Sequence, residues 1–117
     1  METKNLIEII KNCVHIAMNK KLVVEGQYQE FLKYYYFSIE GGFEFSIYLN
    51  SDNISIHTKS GKSFIKYSIT DRDDLELRTL VLSVKEYNKD MVISEIKDFI
   101  SSVEVDHEIK DINDLDD

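Results

Sequence analysis

The chain has 117 residues, 43% of them hydrophobic and 31% charged. That is the make-up of one globular domain that can bury a core without a metal or disulfide staple. Its formal net charge is −8, of which residues 104–117 hold seven acids and one lysine, hence −6, leaving −2 for residues 1–103. A near-neutral body argues against an extended cationic footprint for nucleic acid, which rests on Lys and Arg neutralising phosphates.

One cysteine, Cys13, excludes an intrachain disulfide and suits a reducing compartment. No stretch reaches the roughly 20 apolar residues of a membrane span. In "METKNLIEIIKNCV" the residues Glu8, Lys11 and Asn12 interrupt the run that a signal peptide needs. The expected setting is cytoplasmic.

Residues 4–19 are expected to form a helix, because Leu6, Ile10, Cys13 and Ala17 recur at helical spacing with Ile9 and Ile16 beside them. "KLVVEG" (21–26) reads as a first short strand or an extended connection. From Phe31 the period becomes two. "FLKYYYFSI" (31–39), "FEFSIYL" (43–49), "ISIHT" (54–58) and "SFIKYSI" (63–69) are rich in aromatic and β-branched residues. "EGG", "NSDN" and "KSGK" between them are turns of hairpin length. Four strands so connected form an antiparallel meander.

"TDRDDLE" opens the next helical region. Thr70 or Asp71 can cap the free N–H groups, and Asp73, Asp74 and Glu76 sit where the helix dipole favours acids. Leu77, Leu80, Val81, Val84 and Tyr87 mark one apolar side. The register shifts after "YNKD" (87–90), and Ile93, Ile96, Phe99, Ile100 and Val103 mark another, which predicts two helices broken near Asn88–Asp90, with one bent helix as the alternative. The fold class is α+β: an N-terminal helix, a four-stranded antiparallel meander with a fifth short strand as the open question, and two C-terminal helices packed on one sheet face. Residues 1–103 form the domain and 104–117 an acidic terminus.

Alternation along the strands separates two faces. If helices cover the phenylalanine-rich side, the other side shows Tyr34, Tyr36, Tyr48, His57 and Phe64 among serines, acids and lysines. Tyrosines of this density are typical of protein interfaces. They also stabilise sheets by pairing across strands with no partner, and the tail or the 20–30 segment is available to cover them. Base stacking on such a face needs a cationic surround, and only Lys33 and Lys66 fall in the expected strands.

In the terminus "EVDHEIKDINDLDD", Val105, Ile109, Ile112 and Leu115 fall on one side of a helix, with Glu104, Asp106, Glu108, Asp111, Asp114, Asp116 and Asp117 around them. This is either a last helix packed on its own domain or an acidic amphipathic segment for a partner's apolar groove with a basic rim.

Catalytic and metal patterns are missing. Cys13 and His15 stand two apart on a helix, hence on different sides. His57 has no acid nearby in sequence to orient it, and His107 has only acidic neighbours. "SGKS" (60–63) has Ile56 where a phosphate loop has its first glycine, and a strand after it. "DRDDLE" (71–76) has Leu75 and Glu76 where a calcium loop has a ligand and a glycine. The expectation is a non-enzymatic protein without cofactor or metal that regulates, inhibits or escorts a protein partner. It acts through Tyr34, Tyr36, Tyr48, His57 and Phe64, or through an acidic terminus that mimics nucleic acid in a basic groove. In size and charge it resembles immunity proteins, secretion chaperones and phage-encoded inhibitors of host defence, with no shared motif. The alternative is a homodimer or assembly protein joined through the aromatic face.

Overall fold

The structure is a computed structural model and describes residues 6–107, with side chains through Val103. The chain divides into two compact units, Met1–Glu86 and Tyr87–Asp117.

In the first unit, helix α1 (Leu6–Asn19) is followed by strands β1 (Val24–Gln29), β2 (Tyr34–Ile39), β3 (Phe43–Tyr48), β4 (Asn53–Thr58) and β5 (Gly61–Lys66), and by the start of helix α2 (Asp71–His107). The strands lie in the order β1-β2-β3-β4-β5, each antiparallel to the next. The expected four-stranded meander is thus part of a sheet of five. The doubtful "KLVVEG" run supplies the additional strand, which starts at Val24 and pairs with β2 along its whole length. It forms an edge of the sheet and so cannot lie across the aromatic face.

Two expected strand boundaries move. Phe31, Leu32 and Lys33 belong to the turn before β2, closed by the Lys33 N–H donating to the Glu30 carbonyl at 3.3 Å with Lys33 at φ 54°. Phe31 is therefore 94% exposed instead of lining a sheet face. At the other end β5 stops at Lys66, and Tyr67–Ile69 leave the sheet.

The core has one sheet face as its floor. Tyr35, Phe37, Ile39, Phe45, Ile47 and Ile54 are buried there, with Ile7, Ile10 and Val14 of α1 and Leu77, Leu80, Val81 and Val84 of α2. Gly26 of β1 makes the closest approach. A Cβ there would stand 3.1 Å from the Phe37 ring and 3.3 Å from the Val84 Cβ, so the helix meets the strand where a side chain is missing. Of the two expected caps, Thr70 and Asp71, the helix uses Thr70. Its hydroxyl accepts from the Asp73 N–H at 3.1 Å, and the Asp73 carboxylate accepts from the Thr70 N–H at 3.1 Å, a reciprocal capping box.

The expected break near Asn88–Asp90 is absent: α2 is continuous to His107. The change of spacing between Val84 and Ile93 alters which side of the helix is apolar without interrupting it. No proline or glycine stands there to remove a hydrogen bond or loosen the backbone. In the second unit Val92, Ile93, Ile96 and Phe99 of the apolar side are exposed, Phe99 by 69%, and Ile100 and Val103 are half-buried. No helix among the described residues is long and apolar enough to cross a membrane.

Candidate functional site

The second face of the sheet takes its side chains from the alternate residues of each strand. The register sets Tyr34 beside Tyr48, Tyr36 beside Ser46, Ser46 beside Ser55 and Ser55 beside Phe64. Tyr34, Tyr36, Tyr48, His57 and Phe64, the five aromatic positions expected on one face, do share it. Short side chains, Ser46 and Ser55, occupy its middle and long ones surround them. Tyr34 and Tyr48 stack with centroids 5.4 Å apart, and both are half-buried. Phe64 is 64% exposed, with the Lys62 ammonium 5.3 Å from its ring centroid. Lys66 is turned to the Ser51 carbonyl, which accepts at 3.1 Å.

Sequence reading gave His57 no acidic partner. The structure supplies one, because the turn after Tyr48 fixes a register in which Glu44 of β3 lies directly across from His57 of β4. Glu44 Oε2 is 3.5 Å from His57 Nδ1, while Glu44 Oε1 accepts from the Tyr36 hydroxyl at 2.7 Å. Burial pushes the Tyr36 phenol up, and the hydrogen bond to Glu44 adds to it. Counting back from the β3–β4 turn would have found this pair, since directly opposed residues are neighbours. The Tyr36–Glu44–His57 chain joins three strands. These contacts brace the three strands to one another. Both side chains of the Glu44–His57 contact are half-exposed.

On the covered face a second cluster ties the sheet to α2. The Tyr35 hydroxyl donates to Asp74 Oδ1 at 2.5 Å, and Arg78 Nε donates to the same hydroxyl at 3.4 Å. The Arg78 guanidinium lies 4.8 Å from the Tyr28 centroid, and Tyr28 stacks on Tyr35 at 4.5 Å. Burial, then the hydrogen bond to Asp74, pushes the Tyr35 phenol up to about 12. This cluster is internal and positions the helix.

Between α1 and α2 runs an open groove of about 370 Å³ lined in part by Lys11, His15, Glu76, Thr79 and Ser83. Its lysine, glutamate and hydroxyl groups are engaged. Lys11 lies 3.3 Å from both Glu8 and Glu76, and the Thr79 and Ser83 hydroxyls donate to helix carbonyls four residues back. Burial pushes the Cys13 thiol up, away from the reactive thiolate. Among the described residues no group of three or more His, Cys, Asp or Glu could hold a metal ion.

The acidic positions expected to bind a partner are not brought to this face by anything described. Glu104 and Asp106 fall in the last turns of α2, and their side chains lie outside the described set. Glu108, Asp111, Asp114, Asp116 and Asp117, with the apolar stripe Ile109, Ile112 and Leu115, lie outside the described residues altogether. Comparison with protein-family models, with curated proteins and with solved structures finds no match to this chain.

Proposed function

We propose that this chain is a small non-enzymatic protein-binding regulator that blocks or escorts a protein partner through the open face of its sheet. The reading rests on one observation: Tyr34, Tyr36, Tyr48 and Phe64 share a sheet face on which the tyrosines are half-buried and Phe64 is exposed, arranged around short serine side chains. Phenol rings offer broad, stiff contact with a polar tip, which is what buried interface centres use. Fixing Tyr36 to Glu44 and stacking Tyr34 on Tyr48 holds those rings before a partner arrives, and so lowers the ordering cost of binding. The acidic terminus adds long-range attraction for a basic partner and in the sharper version occupies a groove built for nucleic acid.

A capture experiment from the source cell's lysate separates the two surfaces. The bait is the full chain, a Tyr48→Asp/Phe64→Asp chain, and a chain with Asp111, Asp114, Asp116 and Asp117 changed to Asn, each at low and raised salt. A partner lost on the double substitution at either salt supports the sheet face. A partner lost on neutralising the terminus, and weakened steeply by salt, supports charge mimicry. A partner kept by both variants overturns the proposal.

A further inference from the structure

We propose that the outer edge of β5 takes up an extended acidic segment of a protein partner as a further, antiparallel strand. This surface is the edge of the sheet, and it stands or falls apart from the open face. β5 lies at the end of the strand order, with β4 beside it. The register decides which of its backbone groups that pairing uses. The Tyr67 N–H donates to the Asp52 carbonyl at 2.9 Å, and these two residues continue the register in which Asn53 meets Lys66. Hydrogen-bonded and non-bonded positions alternate along an antiparallel pair. Ile65, Ser63 and Gly61 therefore turn their N–H and carbonyl groups to β4, and Lys62, Phe64 and Lys66 turn theirs outward. Gly61, Lys62, Ser63 and Phe64 are all exposed, hence on both faces of the strand. Outward donors and acceptors at strand spacing are a template for another strand.

Charge identifies the occupant. Residues 53–70 are the longest stretch of the chain without an acid, and they carry Lys59, Lys62 and Lys66 in a protein of net charge −8. Lys62 and Lys66 stand two positions either side of Phe64, so the three side chains share the open face. What the two ammonium groups touch is neutral: Lys62 lies over the Phe64 ring and Lys66 reaches the Ser51 carbonyl. Residues directly opposite in neighbouring strands interact most strongly, and like charges there repel. A second copy of β5 paired along Lys62 to Lys66 would set Lys62 against Lys66 twice. A partner strand with acids four positions apart and an apolar residue midway sets a carboxylate against each lysine and covers Phe64, which is 64% exposed. Edge lysines guard against pairing of like with like, and here they leave the edge selective for acidic strands.

The probe is a synthetic peptide of threonines with glutamate at its third and seventh positions and valine at its fifth. It is titrated into the full chain beside a counterpart with lysine for glutamate, and amide hydrogen exchange by NMR reads the site. In the free chain the Lys62, Phe64 and Lys66 amides should exchange fast and the Ser63 and Ile65 amides slowly. The glutamate peptide should protect the first three, and the lysine peptide should not. Lys62→Glu/Lys66→Glu should weaken the glutamate peptide about tenfold and let the lysine peptide bind instead. Methylating the valine nitrogen, which faces β5 in an antiparallel pair, should abolish protection, and methylating the nitrogen of the next threonine should not. Tyr48→Asp, which disables the open face, should leave peptide binding unchanged, so the two surfaces fail separately. Amides left unprotected at millimolar peptide, equal binding of both peptides, or indifference to the valine methyl overturns the inference. Protection of the same amides on concentrating the chain alone gives the edge to a second copy and overturns it too.

Discussion

Residues 77–84 and residues 92–103 belong to the same helix and are similarly rich in leucine, isoleucine and valine. Leu77 and Val84 are fully buried, and Ile96 and Phe99 are more than half exposed. Both stretches carry the periodic signature of an amphipathic helix. What separates them is burial: the first is packed with Tyr35, Phe37 and Ile47 of the sheet, and in the second Val92, Ile93, Ile96 and Phe99 are exposed while Ile100 and Val103 are half-buried. Periodicity identifies which side of a helix wants cover and is silent on whether the cover comes from the same chain.

The contrast can be broken most forcefully in the core. Leu77→Ala, at a site with no exposure, should lower unfolding stability by about 3 kcal/mol, whereas Ile96→Ala should change it by no more than about 0.5 kcal/mol. Urea unfolding of the full chain, dilute enough that self-association does not contribute, reads both, and equal losses would erase the distinction. Gly26→Ala comes next, at about 2 kcal/mol, because the added methyl presses on the Phe37 ring and Val84. Glu25→Ala, one residue earlier and on the open face, serves as its near-neutral control.

Tyr35→Phe costs less than Gly26→Ala and sharpens the comparison instead, at about 1 kcal/mol for the lost hydroxyl bond. With the folded phenol pushed up to about 12 and the unfolded one near 10, the native state favours the neutral form. Its contribution is whole below pH about 10 and is lost as pH climbs through about 12. The stability gap between the parent and Tyr35→Phe should accordingly shrink between pH about 10 and about 12 in chemical denaturation, and a constant gap would show that the hydroxyl is not held as described.

Much of this architecture was legible in the residues. Period-two alternation and hairpin-length turns placed four strands and sorted Tyr34, Tyr36, Tyr48, His57 and Phe64 onto one face, because side-chain direction in a strand follows from parity alone. "KLVVEG" was ambiguous since Val24 is followed by Glu25, Gly26 and Gln27, and only pairing with β2 makes a strand of so weak an apolar run. The break predicted at Asn88–Asp90 came from treating a change of apolar side as a change of element. Backbone hydrogen bonding does not depend on which side is apolar, and "YNKD" contains no residue that opposes it. Glu44 was overlooked as His57's partner because the two stand thirteen positions apart, and only the register across the β3–β4 turn makes them neighbours.

The strand order has a consequence for how the fold is reached. Every pairing in the sheet joins strands consecutive in the chain, so the loops to be closed are short and the entropy lost in closing them small. On a ribosome each hairpin can zip up as soon as it emerges. The face carrying Tyr35, Phe37 and Ile47 cannot be sealed until Leu77 to Val84 have been made, since those residues complete its cover. The nascent chain therefore passes through an interval in which the meander exists with its greasy side bare. Arresting the nascent chain with the meander outside the ribosome and residues 77–84 still inside should increase aggregation or chaperone capture, while arrest after Val84 has emerged should not.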